Sequence, residues 1–326
     1  MKELFLSDYL SKQVTKKPIR AGFGLGLVKA GQSNTNVVAA CADLTESTQM
    51  HLFQEKFPDR FFEIGVAEQN LVTVGSGLAL MGKIPFVSSY AAFSPGRNWE
   101  QIRTTICLNN VPVRVVGSHA GVSVGPDGGT HQMLEDITLM RVLPNMVVIV
   151  PGDSIEAEKA TLKLVDDKRP AYLRLARAAS PVFTTDKTPF EIGPAYVLNS
   201  GQNVTIISTG AMTYQALVAA ESLYKDGIDA EVIHVPTIKP LDAVTILQSA
   251  KKTRAVITIE EGQIAGGLGG VVSELLGEHL PTPIRRIGIK DRFGESGEAE
   301  ELQEFFGLTA KNIVITAHDL LNNLGK

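Results

Sequence analysis

The sequence has little of several things. Two cysteines, Cys41 and Cys107, one tryptophan and six histidines occur in 326 residues. The cysteines have no paired spacing, which argues against a disulfide framework or a Cys-based zinc site and makes a reducing compartment, the cytoplasm, the expected setting. Both sit in apolar runs, Val37-Val38-Ala39-Ala40-Cys41 and Thr105-Ile106-Cys107-Leu108, and read as small buried side chains. Basic excess is also missing. With 31 Lys+Arg against 35 Asp+Glu and a net charge of −4, the chain lacks the electrostatics of a general nucleic-acid or anionic-membrane binder. No apolar stretch approaches the roughly 18 residues of a bilayer span. Met1 to Asp8 shows no signal-peptide pattern. What remains, 44% hydrophobic and 20% charged residues, is an ordinary globular composition at a length that suits about two domains.

Short Val/Ile-rich runs alternate with helix-length amphipathic segments. Strands are expected at 36–41, 84–88, 113–117, 146–150 and 171–175, then at 204–208, 230–235, 255–260 and 284–287. Helices are expected at 20–30, 67–81, 97–109, 154–166, 211–226, 243–250 and 264–278. Most strand runs are continuously apolar rather than alternating, as in parallel strands covered on both faces. The fold class is therefore α/β, with mainly parallel sheets flanked by helices. Pro181, Pro189 and Pro194 interrupt the pattern, which places a domain boundary near Asp186 and gives domains 1–186 and 187–326.

Two glycine-rich stretches resemble nucleotide loops. Gly22-Phe23-Gly24-Leu25-Gly26 lacks a preceding strand and the third glycine of GxGxxG, and reads as a helix start whose glycines allow close packing. Gly262 to Gly270 follows a credible strand, but its offsets are wrong and it opens on acidic Glu260 and Glu261, which repel phosphate. Structural glycines are the better reading of both.

Two of the six histidines fall in one loop, Ser118-His119-Ala120-Gly121-Val122-Ser123-Val124-Gly125-Pro126-Asp127-Gly128-Gly129-Thr130-His131-Gln132. It follows a strand, and the carboxyl ends of strands are where open α/β sheets place ligands. His119, Asp127 and His131 offer donors, an acceptor and proton transfer near neutral pH. Glu68 opens a long apolar helix, where a carboxylate complements the helix dipole whether or not it is catalytic. Tyr90 and Phe93 follow the strand at 84–88, as core aromatics or as a stacking platform.

Taken together, Asp43-Leu44-Thr45-Glu46-Ser47, the Glu68 segment, Tyr90 and Phe93, Ser118 to Gln132, Arg174, the glycines after Glu261 and the run Asp291-Arg292-Phe293-Gly294-Glu295-Ser296-Gly297 occur in the order found in transketolases. Nearly the whole chain resembles the C-terminal half of that thiamine-diphosphate enzyme family. The resemblance implies that Glu68 contacts N1′ of the cofactor's aminopyrimidine, in a desolvated, apolar surround. It implies that Phe93 stacks on that ring, that Tyr90 lines the pocket, and that Asp43 and Arg97 lie on the cofactor side. His131 would bond the donor sugar's hydroxyl or carbonyl oxygen, and Asp127 the neighbouring hydroxyl. Ser47, His119 and Arg174 would hold the distal phosphate, the guanidinium through two parallel bonds. The thiazolium serves as electron sink while a two-carbon unit passes from ketose to aldose.

The family's diphosphate and Mg²⁺ motif, Gly-Asp-Gly with a later Asn, is not found; Gly152-Asp153-Ser154 is the nearest approach. The resemblance therefore implies a two-chain enzyme of α₂β₂ form, whose N-terminal partner chain holds the diphosphate and the metal. The second domain shows no catalytic constellation and is expected to serve packing and assembly. Deoxyxylulose-phosphate synthase-like chemistry (Arg97 and Asp291-Arg292-Phe293 resemble that group), a 2-oxoacid dehydrogenase E1 β-like subunit, and a noncatalytic scaffold of the same fold stay open as alternatives.

Overall fold

The computed structural model of the protein describes residues 10, 11 and 13–325; the segment Met1 to Asp8, read above for a targeting signal, lies outside them. Continuous apolar runs become strands buried on both faces, and two mainly parallel sheets result. The first orders its strands Thr237–Lys239, Val147–Ile149, Ala171–Arg174, Arg114–Ser118, Ile84–Tyr90, Val37–Cys41 and Phe61–Glu63. The last six are mutually parallel. The second orders Ile284–Ile289, Val256–Gln263, Val204–Ser208, Ala230–His234 and Tyr196–Asn199, antiparallel only at the last. Helices flank both sheets, and the architecture is α/β in two domains.

The domains are not independent. Thr237–Lys239 lies in the second half of the chain, yet it pairs antiparallel with Val147–Ile149 and closes the edge of the first sheet. Lys16–Pro18 forms a separate two-stranded ribbon with Ala179–Pro181. Of the prolines that interrupt the pattern, Pro181 ends the strand Ala179–Pro181, and Pro189 and Pro194 stand in the connection from it to Tyr196–Asn199.

Both glycine-rich stretches have structural explanations. In the helix Ile19–Ser33, a Cβ on Gly22 would stand 1.8 Å from the carbonyl oxygen of Ser154, and one on Gly26 2.9 Å from that of Glu158. The glycines let this helix touch the backbone of the helix Ser154–Asp166 directly. Asp153 caps that second helix through the Glu156 N–H and also accepts from the Phe183 and Thr184 amides. The nearest approach to a Gly-Asp-Gly motif is thus a buried N-cap. In the other stretch, the Glu260 carboxylate accepts from the amides of Leu268 and Gly269 at 2.7 and 2.8 Å. The protein's own carboxylate fills the helix N-terminus where a dinucleotide phosphate would sit, and burial pushes it up to about 7.

The helix expected over 97–109 is interrupted: one turn at Trp99–Gln101 passes into a π-helical stretch, Ile102–Cys107. Cys41 and Cys107 are both buried free thiols, and burial raises Cys107 to about 11. No helix among the described residues is long and apolar enough to cross a membrane.

Candidate active site

Four adjacent parallel strands, Ala171–Arg174, Arg114–Ser118, Ile84–Tyr90 and Val37–Cys41, end at one edge of the first sheet. The loops that follow them therefore meet, and they carry most of the candidate residues. Tyr90, the last residue of its strand, stacks on the His119 ring with 3.8 Å between centroids. His131 stands edge-on to Phe93 at 5.4 Å and to Tyr90 at 6.3 Å. The Nδ1 atoms of His119 and His131 lie 2.9 Å from the Ser118 and Thr130 hydroxyls, so Nε2 is the free ring atom of each among the described residues.

Glu68 is the first residue of its helix and is buried. Its Oε2 accepts from Arg97 Nη1 at 3.0 Å, and its carbonyl accepts from Asn98 Nδ2 at 2.8 Å. The Arg97 guanidinium carbon lies 5.3 Å from the Phe93 ring centre. The desolvated setting is present, but the apolar surround is not complete: a guanidinium, half in solvent, faces the carboxylate.

A cationic corner adjoins the aromatic cluster. Arg20 donates to the Ser47 carbonyl, and Arg177 donates to the Val124 carbonyl at 2.7 Å. Burial first, then the Arg20 and Arg177 charges and His131, push His119 down to about 3. Neither Arg20 nor Arg177 has a carboxylate partner among the described residues, so two guanidinium charges face this corner uncompensated, as an anion site requires. Sequence reasoning missed both. Arg177 stands just beyond the strand end and Arg20 in the first turn of the first helix, and the signal that separates them from other surface arginines is spatial.

Arg174 is placed differently from expectation. Its side chain is 5% exposed, its Nε donates to Asp136 Oδ2 at 2.8 Å, and its Nη2 donates to the Glu261 carbonyl at 2.7 Å. The Tyr172 hydroxyl donates to the same Asp136 oxygen. Committed to this buried network, the guanidinium has no open fork for a phosphate. Asp43 and Asp127 are exposed. The Asp43 amide donates to Glu63 at 2.7 Å, and no contact joins the Asp43 carboxylate to the aromatic cluster among the described residues. Asp127 sits on the exposed turn between Gly125 and Gly128.

The second domain does more than pack. Gln132 Nε2 donates to the Glu295 carbonyl at 2.8 Å, and a Cβ on Gly129 would lie 2.8 Å from the Gly294 carbonyl oxygen. The buried Glu261 carboxylate accepts from the Ser123 amide at 2.6 Å. The histidine loop is held from behind by two segments of the second domain. Among the described residues, no group of three or more His, Cys, Asp or Glu side chains is placed to hold a metal ion.

Comparison with known proteins identifies the family. The transketolase pyrimidine-binding domain family matches residues 15–182, and the transketolase C-terminal domain family matches residues 193–313. A protein of Methanocaldococcus jannaschii named as a transketolase C-terminal section is 42% identical over 91% of this chain and 94% of its own length. A 6-deoxy-6-sulfo-D-fructose transketolase subunit from Clostridium sp. strain MSTE9 is 41% identical over 90% of this chain and 91% of its own length. A solved structure described as a split gene transketolase, inactive beta4 tetramer, superposes with a TM-score of 0.87 at 41% identity, covering 94% of this chain and 98% of that one. The chain belongs to the transketolase family, a thiamine-diphosphate-dependent family, in its C-terminal-section form.

Proposed function

We propose that this chain is the pyrimidine-binding and C-terminal subunit of a two-chain transketolase that moves a two-carbon ketol unit from a ketose to an aldose. The observation that carries the reading is the convergence of a buried carboxylate, an aromatic face, two histidines and two uncompensated guanidiniums at one sheet edge. Glu68 and Phe93 bracket the planar Arg97 guanidinium, which supports assigning the cofactor's planar ring to the same two residues. Bound there, thiamine diphosphate supplies a carbon nucleophile and an electron sink for cleaving and forming C–C bonds.

Each residue then has a defined task. Glu68 holds a proton at N1′ of the aminopyrimidine, Phe93 stacks on that ring, and Tyr90 closes the pocket beside it. Asp43 and Arg97 lie on the cofactor side. The free Nε2 of His131 bonds the sugar's reacting oxygen, and Asp127 takes the hydroxyl beside it. Ser47 and neutral His119, with Arg20 and Arg177, grip the distal anion, while Arg174 braces the wall behind them. That anion is a phosphate in our reading; one relative is named for a sulfo-sugar instead, 6-deoxy-6-sulfo-D-fructose. Hard oxygen ligands for Mg²⁺ and the diphosphate come from an N-terminal partner chain in an α₂β₂ assembly. Two buried free thiols suit a reducing cytoplasm.

Glu68→Ala in the reconstituted pair tests the reading. Ketose-to-aldose transfer should fall by at least about a hundredfold, the scale of a lost catalytic proton-transfer group. Unchanged transfer would favour a scaffold, and pyruvate decarboxylation with an aldehyde acceptor would favour the synthase-like chemistry.

A further inference from the structure

The Arg97 guanidinium makes both contacts that the proposed function gives to the cofactor's aminopyrimidine. It is planar, it donates to Glu68 Oε2 at 3.0 Å, and its central carbon lies over the Phe93 ring at 5.3 Å. We infer that Arg97 is an internal stand-in for the aminopyrimidine, which holds the ring site of the free chain and must swing out before the cofactor's ring can enter. This inference rests on the proposed function, because it takes Glu68 and Phe93 as the ring's partners.

Three observations support it. First, the Glu68 side chain is 2% exposed, and a buried carboxylate without a partner is costly. A cation at that oxygen, here Arg97, offsets that cost while no cofactor ring is bound. Second, the Arg97 side chain is 53% exposed and follows the exposed Gly96, so solvent is open to the guanidinium once it is displaced. Third, no other carboxylate holds it among the described residues; its one ion pair is with Glu68. The neighbouring Asn98, by contrast, is fixed by bonds to the Glu68 carbonyl and to Ser94 Oγ. Segment and carboxylate are held in place, and the guanidinium between them is the part free to leave.

Such a stand-in acts as a population tax on binding. Cofactor affinity is reduced by the fraction of molecules whose site is vacated. It also makes the ion pair and cofactor binding mutually exclusive, so removing the guanidinium helps the ligand by the amount it had competed.

The test is calorimetric titration of thiamine diphosphate, at saturating Mg²⁺, into the chain reconstituted with its partner. Wild type, R97A, R97Q, E68A and the E68A/R97A double variant are compared, each checked for assembly and melting temperature. R97A and R97Q should bind about tenfold more tightly than wild type, the effect of a site self-occupied about nine-tenths of the time. In the E68A background, R97A should give no gain, since the carboxylate that held the guanidinium is gone. R97Q keeps length and polarity, so it carries the test if R97A fails to assemble. Equal or weaker binding by both Arg97 variants would overturn the inference while leaving the proposed function standing. Absence of binding by every form, wild type included, would overturn both.

Discussion

The ring of Tyr90 lies face to face with the imidazole of His119, 3.8 Å between centroids and 22° between planes. Burial first, then the Arg20 and Arg177 charges and His131, keep His119 neutral, with a pKa lowered to about 3. A histidine whose folded-state pKa lies below its unfolded value favours the folded state most above about 6.5. That contribution is lost as pH falls toward 3, by at most about 1.4 kcal/mol per pH unit. In a histidine-selective NMR titration, the His119 ring should show no protonation step between pH 5 and 8. Inorganic phosphate should raise its pKa, because an anion in the corner offsets both guanidiniums. A step near 6.5 without phosphate would contradict this account of the corner.

Arg174 and Arg177 stand three residues apart and should fail differently. Arg174→Ala leaves Asp136 buried without its cation, and the expected loss is about 3–5 kcal/mol of stability, read by denaturant unfolding. Arg177→Ala should leave stability within about 1 kcal/mol. It should raise KM for an anionic sugar while sparing a neutral analogue of that sugar. The reverse pattern would return the anion-gripping role to Arg174.

Gly22 lies far along the chain from the histidine loop, on the crossing of Ile19–Ser33 with Ser154–Asp166. A Cβ there would stand 1.8 Å from a backbone oxygen, and backbone cannot rotate away as a side chain can. Gly22→Ala should therefore cost about 3 kcal/mol, the upper end of ordinary overpacking. Thermal melts check this, and an unshifted melting temperature would mean that the two helices are not in backbone contact.

Local structure was well coded where one physical rule dominated. The helix Ser154–Asp166 matches its expected bounds, because an Asp N-cap and an amphipathic period define it locally. The strand Val204–Ser208 likewise follows from its β-branched, largely apolar run, Val204, Thr205, Ile206 and Ile207, and is buried throughout. Long-range choices were not coded in this way. Thr237–Lys239 joins the sheet of the first domain, a pairing decided by tertiary packing rather than by its own three residues. The Arg97–Asn109 helix gives way to a π-helical stretch that its periodicity does not signal.

Of the candidate site, Tyr90, Phe93, His119, His131 and Glu68 stand out only as a set, through an order along the chain that resembles transketolases; singly each has an ordinary structural reading, and the fold brings the two aromatics and the two histidines together. The places of the arginines were not legible. Arg174 lies within a strand that is buried along its whole length, so its charge is drawn into a network with Asp136. Arg177, beyond the strand's end, is the one that reaches the open corner. Only the fold distinguishes the two. Nor does the second domain announce its part. Glu261 and Glu295 hold the histidine loop from more than a hundred residues away in sequence.

The central claim is that the ring-binding half of a transketolase site lies on this chain and that the diphosphate and metal half lies on another. The most direct measurement is ketose-to-aldose transfer by the purified chain with thiamine diphosphate and Mg²⁺, first alone and then mixed with the N-terminal partner chain. The account predicts no turnover from the chain alone and turnover from the mixture. Turnover by the chain alone would contradict it.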